Sequence, residues 1–395
     1  MCYVAREVLF PPIEGYHITS RRVIEAAARA GIHANVITIE SEKNLGNPKK
    51  WVIVNSKTRP RAHYWFTPSM HSAIDDLCAS VRISSQIKFA NDDLIHVLNV
   101  NKEAYLFAHS LLRVKKPLLM HFYHSPQVLA DDVFLIRNLA FRAGLYGRLL
   151  ENHVLTVNFS LYKYFIEKLG VDYERVHYAP YPIDTDTFRP LNNKEVLRKK
   201  YGLPSDRPIV VYVGSLDPVR GIYDLIKSIR LVSAYFPRVL LYVAHPQRKG
   251  EEIYEKRSNE LIRKLRLEKN VVISGTSAHV EETYNVADMV VFPFKRPYWV
   301  DPPLVLLEAM SSGAVVVVTS VGAINEVIKD HENGVFTKAG DPRILAKTII
   351  ELIENPGERR KIGQKARETI VQNYSYEVAG NKLLKIYNFI LDHLN

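Results

Sequence analysis

Apolar positions along this chain fall into two alternating series. Short runs rich in β-branched residues give way to stretches with apolar residues at helical spacing, and that alternation predicts parallel sheets covered by helices. In the first half, YVAREVLF predicts a strand, PPIEGYH its loop and ITSRRVIEAAARAG a helix stopped at Gly31. ANVITI, DLIHVL, PLLMHF and HVLTV predict further strands. The pattern restarts near residue 207, where PIVVYVG, RVLLYVA, NVVISG, MVVFPF and AVVVVTS each predict a strand followed by a loop and a helix. Between the two series, PYPIDTDTFRPLNNK (residues 180–194) is rich in proline, aspartate and threonine and reads as a linker. The final YEVAGNKLLKIYNFILDHL has helical spacing and is open to packing on either half.

A chain of 395 residues is too long for one ordinary core, and its 47% hydrophobic content fills two. The expected division is a domain over 1–185, completed by a helix over 375–395, and a second domain over 190–373. Open parallel sheets bind ligands at the carboxyl ends of their strands, so two such sheets facing a cleft place the candidate residues there.

Charge narrows the partners. A net charge of +11 attracts anions, whether nucleotide phosphates, acidic headgroups or nucleic acid. Zinc-finger spacing, a basic low-complexity tail and an RNP-like aromatic motif are all missing, so nucleic acid is not expected. Cys2 and Cys78 make neither a disulfide framework nor a zinc cluster. With no uncharged apolar run of about 18 residues and no basic region leading into an apolar one at MCYVAREVLFPP, the expectation is a cytoplasmic, non-spanning protein. FLIRNLAFRAGLYGRLLENH (134–153) interleaves Arg137, Arg142 and Arg148 with large apolar residues. It fits either a helix lying on an acidic membrane surface, at the inner face of the membrane, or one covering its own sheet.

The stretch VDPPLVLLEAMSSG (300–313) holds the sharpest anomaly. Leu304, Val305, Leu306, Leu307 and Met310 are what a buried helix offers, and Pro303 suits a first helical residue. Glu308 sits inside that apolar run, where an ionised carboxylate is costly unless something hydrogen-bonds to it. A partner is therefore expected. Beyond it, Ala314 to Val318 predicts a buried strand, Thr319 to Gly322 a turn, and the next residues a short helix with Glu326.

Several segments in order resemble the retaining glycosyltransferases of the GT-B fold, family 4 (group 1) type. They are YVGSLDPVRGIYDLIKSI, ISGTSAHVEETYNVADMVVFPF and LLEAMSSGAVVVVTSVGAINEVIKDHENGVF, with weaker echoes in PPIEGYHITSRRVIEAAARAGIHANVIT and APYPIDTDTFRP. The fold implied is α/β, with two Rossmann-like parallel-sheet domains facing a cleft. In that family a Glu-x7-Glu motif ends in the acid that takes the ribose hydroxyls of a nucleotide sugar, and Glu308 matches it. Val300 stands where the first Glu would hold the transferred sugar; the neighbouring Asp301 either substitutes for it or caps the helix that follows. Ser215 stands for the family's diphosphate-clasping Arg and Arg220 for its Lys, with Lys295 or Arg296 as a further source of charge. The amides of Leu304 and Val305 remain for the diphosphate despite Pro302 and Pro303. Gly15 matches the glycine loop near the donor phosphates. His124, with His121 as the alternate, matches the histidine near the reacting carbon.

The resemblance implies transfer of a sugar from a UDP- or GDP-linked donor to a glycan or a polyprenyl- or other lipid-linked acceptor, with retention. The departing diphosphate assists deprotonation of the acceptor. No metal and no cofactor beyond the nucleotide sugar are expected. Because Val300 and Ser215 both depart from the family pattern, an inert relative serving as a nucleotide-sugar-binding or partner subunit is the alternative. An epimerase of the same fold is a third reading, separated by product formed from donor alone.

Overall fold

The computed structural model describes residues 2–5, 15–32, 35–38, 52–55, 93–98, 115–123, 151–246, 251–275, 279–297 and 301–393. They fall into two compact units, Met1–Pro182 with Tyr376–Asn395, and Ile183–Ser375. Each unit has its own parallel sheet, as the alternating pattern predicts.

In the first unit β1 (Cys2–Ala5), β2 (Asn35–Thr38), β3 (Val52–Asn55), β4 (Ile95–Val97), β5 (Leu118–Phe122), β6 (His153–Thr156) and β7 (Val176–Tyr178) pair in the order β3-β2-β1-β4-β5-β6-β7. In the second, β8 (Ile209–Val213), β9 (Leu240–His245), β10 (Val271–Gly275), β11 (Met289–Phe292), β12 (Val316–Thr319) and β13 (Val335–Thr337) pair in the order β10-β9-β8-β11-β12-β13. The winding reverses once in each sheet, between β1 and β4 and between β8 and β11. Loops leaving the carboxyl ends of those central strands diverge, and that is where open sheets hold ligands.

The described helices are α1 (Gly15–Arg29), α2 (Phe159–Glu167), α3 (Lys194–Lys200), α4 (Ile222–Tyr235), α5 (Glu252–Lys264), α6 (Val280–Asn285), α7 (Leu304–Ser311), α8 (Ile324–Val327), α9 (Pro342–Glu354), α10 (Pro356–Tyr374) and α11 (Tyr376–Asp392). Their ends follow local chemistry. Asn158 accepts from the Leu161 amide at the start of α2, and Asp341 accepts from Arg343 and Ile344 with Pro342 at the first position of α9. Along α4, Ile222, Leu225, Ile226, Ile229 and Val232 make a fully buried stripe that packs in one core with Val210, Tyr212 and Leu241. Every residue of β8 is buried because helices cover both faces of a parallel sheet.

Two expectations change. The strand predicted over 314–318 lies at Val316–Thr319. The apparent linker is packed structure from Ile183 onward, for Ile183 pairs with Ser375, and the buried Phe188 offers its carbonyl to Ser311 and Arg367. Of the basic stretch 134–153, residues 134–150 lie outside the described residues, while His153 opens β6, as HVLTV predicts. Among the described residues, no helix is long and apolar enough to cross a membrane.

The terminal helix α11 settles on the first unit against α1. A Cβ at Gly380 would lie 2.3 Å from the Ala26 carbonyl oxygen, so the crossing needs a residue without a side chain. Behind that crossing runs a buried polar chain. Tyr3 and Tyr387 hydroxyls lie 2.9 Å apart, Tyr387 bonds His96 Nδ1 at 2.7 Å, and His96 Nε2 lies 3.2 Å from His121 Nδ1. Burial pushes His96 down to about 3, while His153 and His177, which share a 2.9 Å bond, are pushed down to about 4. Unfolded histidine titrates near ~6.5, so at mildly acid pH the unfolded chain binds the extra protons and stability falls as pH falls. One such group sets a slope of about 1.4 kcal/mol per pH unit. The urea midpoint is expected to drop steadily from pH 7 to pH 5, and a midpoint that stays put over that interval would show that these histidines are not held neutral.

Candidate functional site

The second sheet's reversal point assembles the site from the loops after β8, β11 and β12. β8 ends at Val213, and after Gly214 Ser215 shapes the turn: its Oγ accepts from the Asp217 amide at 3.1 Å and donates to Glu251 Oε1 at 3.0 Å. Asp217 in turn accepts from the Val219 amide at 2.9 Å and starts a single 3₁₀ turn, Pro218–Arg220. Gly221 follows at φ +79°, and a Cβ there would lie 1.8 Å from the Pro293 carbonyl oxygen. The loop after β8 thus lies directly against the end of β11. Arg220, half-buried, stands with its guanidinium carbon 5.3 Å from the centre of the Phe294 ring, a cation held over an aromatic face.

The loop after β11 is tied on both sides. Lys295 donates its amide to the Val219 carbonyl at 3.0 Å, and its ammonium pairs at 3.0 Å with the buried Asp224 at the start of α4. The positive charge expected from Lys295 is therefore met by Asp224. On the other side, Thr319 Oγ1 donates to the Phe294 carbonyl at 2.5 Å.

Asp301 is 1% exposed, and both its carboxylate oxygens accept from the Ala323 amide, at 3.0 and 2.9 Å. The capping expectation is overturned: the N-cap of α7 is Pro303, with no side-chain cap, so Pro303 precedes the helix and Leu304 is its first residue. Asp301 reaches instead across to the turn after β12, because a buried carboxylate must be met by donors and the first amides of α7 lie on the other side of two prolines. Burial, with a lesser contribution from Glu326, raises Asp301 to about 7 against the opposing bond from Ala323. Its folded value exceeds its unfolded one, so this group's contribution to stability is present at low pH and is lost as pH rises toward 7, opposite in sign to the histidines.

Glu308 finds the partner its setting demands. It is 5% exposed, and the Tyr284 hydroxyl of α6 donates to its Oε2 at 3.1 Å. Around it α7 is buried almost throughout, held from behind by α10: Arg367 donates to the Ser311 carbonyl at 2.8 Å, and Gly363 lets the α10 backbone approach the turn at Gly313 just after α7. At the helix start the amides of Leu304 and Val305 have no acceptor within the helix. A cation in the loop after β8 and the first amides of α7 can take an anion, and a carboxylate within α7 a pair of hydroxyls.

Other expected residues fall elsewhere. Gly15 is the first residue of α1, and the loop before it lies outside the described residues. So do Val300 and His124. His121 is buried in the core chain with His96 and stacks on Tyr123 at 4.2 Å. Tyr284, Asp224, Glu251 and Ala323 were not anticipated. Each acts on a partner far along the chain or across a turn, and nothing in its own neighbourhood signals it. Among the described residues, no group of three His, Cys, Asp or Glu side chains is placed to hold a metal.

Residues 193–369 match the family model for glycosyl transferases group 1. N-acetyl-alpha-D-glucosaminyl L-malate synthase of Bacillus anthracis is 26% identical over 195 residues, which cover 49% of this chain and 49% of that protein. The first curated relatives are thus matched over about half their length. Two solved structures share the fold over nearly all of both chains. Sucrose-phosphate synthase from Thermosynechococcus elongatus has a TM-score of 0.79 at 19% identity, covering 99% of this chain and 98% of that one. Anabaena HepE in complex with UDP has a TM-score of 0.76 at 17% identity, covering 98% of this chain and 99% of that one.

Proposed function

We propose that this chain, whose residues 193–369 form a glycosyl transferases group 1 domain, is a retaining glycosyltransferase that draws its sugar from a nucleotide sugar bound at the β8/β11 reversal point. One observation carries the reading: Arg220 stands over Phe294 in the segment that follows β11, and α7, the next helix along the chain, presents a buried Glu308 held by Tyr284. In this reading Glu308 accepts the ribose hydroxyls, and Arg220 with the Leu304 and Val305 amides takes the diphosphate.

The bond between the anomeric carbon and the diphosphate oxygen breaks while the acceptor hydroxyl bonds on the same face, and its proton passes to the departing diphosphate. The chain's own part is electrostatic. Fixed donors aimed at the growing negative charge lower the barrier without a protein nucleophile. No metal and no cofactor beyond the donor is called for. A uridine nucleotide is supported by HepE, whose structure holds UDP. The acceptor we propose is a glycan or lipid-linked glycan, and the charge of +11 supports one presented at an acidic membrane surface.

Calorimetry with UDP, GDP, UDP-glucose and GDP-mannose tests the site. One class is expected to bind, unaffected by a chelator, and Arg220→Ala should weaken it by about 2 kcal/mol, or roughly 30-fold. The inert-subunit alternative draws on Ser215 and Lys295, both engaged with acids, at Glu251 and Asp224. Binding without transfer to any acceptor would favour it, and no binding at all would remove the donor site.

A further inference from the structure

We propose that Asp301 is a positioning residue of the donor site: it clamps the glycine turn after β12 to the lead-in of α7 through the Ala323 amide, and does not itself contact the transferred sugar. The kinetic part of this inference rests on the function proposed above; the clamp does not.

The geometry is specific to this side chain. Both oxygens converge on one amide at 3.0 and 2.9 Å, in a site where Asp301 is 1% exposed. The turn is shaped around the carboxylate, since Gly322 has φ +58° and a Cβ there would lie 2.4 Å from Asp301 Oδ2. Asp301 leaves the β11 side of the site and Ala323 the β12 side. Near the strand ends the same two segments are joined by Thr319 Oγ1 and the Phe294 carbonyl at 2.5 Å, so Asp301 supplies a second tie at the far end of the loop. Two ties fix a loop's direction where one leaves it free to pivot. The sequence position beside Val300 makes Asp301 the obvious substitute for a missing sugar-binding acid. A buried carboxylate that turns both oxygens toward one backbone amide is instead placed to hold backbone.

The two roles differ in what they require. An amide donor needs an acceptor oxygen but no charge, so Asp301→Asn should keep the clamp, whereas a carboxylate receiving sugar hydroxyls would not be replaced so simply. Hydrogen–deuterium exchange of the ligand-free full chain reads the clamp directly. Amides of residues 319–328 are expected to exchange about tenfold faster in Asp301→Ala and within about threefold of wild type in Asp301→Asn. Gly322→Ala, which pushes the turn off the carboxylate from the other side, should reproduce the Ala pattern and serves if Asp301→Ala does not fold. In turnover with the donor that binds, Asp301→Ala should raise donor KM about tenfold with kcat within about threefold, and Asp301→Asn should restore it. Unchanged exchange in both Asp301→Ala and Gly322→Ala would overturn the clamp. Normal exchange with an Asn variant as impaired as Ala would overturn the positioning role and make Asp301 a substrate contact. If wild-type protein binds no nucleotide sugar, the proposed function fails while the exchange experiment still decides the clamp.

Discussion

Glu308→Gln is expected to weaken nucleotide-sugar binding by about 2 kcal/mol or more, roughly 30-fold, while leaving the melting temperature nearly unchanged. Glutamine keeps the length of the side chain and one acceptor oxygen, so the Tyr284 hydroxyl still has somewhere to donate. What it removes is the charge, and hydrogen bonds to a charged acceptor are about twice as strong as neutral ones. Alanine is the less informative change, since it would also strand a buried tyrosine hydroxyl and open a cavity, mixing stability with affinity. Tyr284→Phe should cost about 1 kcal/mol of affinity by releasing Oε2 without removing the acid. Titration calorimetry beside thermal unfolding distinguishes the readings. If Glu308→Gln lowers the melting temperature and binds donor normally, the carboxylate is only a satisfied core group.

Gly221→Ala carries the largest expected cost in stability. At φ +79° an alanine loses about 1–2 kcal/mol from its backbone conformation alone. The added methyl would also fall 1.8 Å from the Pro293 carbonyl oxygen and 2.7 Å from its carbon, neighbours that no rotamer change can move. The loops after β8 and β11 must then part at the reversal point, carrying Arg220 off the Phe294 ring. A loss of about 3 kcal/mol or more, near 10 °C in melting temperature for a unit of this size, is expected, together with loss of donor binding. Gly340→Ala provides the control, because Gly340 has a similar φ of +71° with nothing within 4 Å of its Cβ position. Its melting temperature should fall by only the backbone part. Equal shifts in the two variants would mean that the close approach to Pro293 is not what requires glycine.

The site was legible where a residue contradicted its surroundings. Glu308 stands out as an acid in the apolar run LVLLEAM, and elementary solvation demands a partner for it. The identity of that partner was not legible, because Tyr284 lies 24 residues earlier on another helix and nothing in VEETYNVA sets it apart. Asp301 was visible as a candidate but ambiguous between two local roles. The structure gives it a third, a bond to an amide 22 residues later. Ser215 and Lys295 looked available to phosphate when each was read alone; Glu251 and Asp224 take their donors.

The fold divides in the same way. Runs such as PIVVYVG and AVVVVTS announce buried parallel strands because every residue of a doubly covered strand must be apolar, a pattern that five consecutive positions suffice to state. β3, β7 and β13, of three or four residues each, were not read from the sequence, and each is held by a ladder to a neighbouring strand. Sequence alone determined the two α/β halves and the anomalous acid. The strand order, the Tyr284–Glu308 and Asp301–Ala323 bonds and the fit of α11 onto α1 were decided only by the tertiary structure. A local pattern can state what one segment must bury or satisfy, whereas the group that satisfies it is chosen by distance in space, and in a parallel sheet with crossover helices the nearest neighbours lie tens of residues apart along the chain.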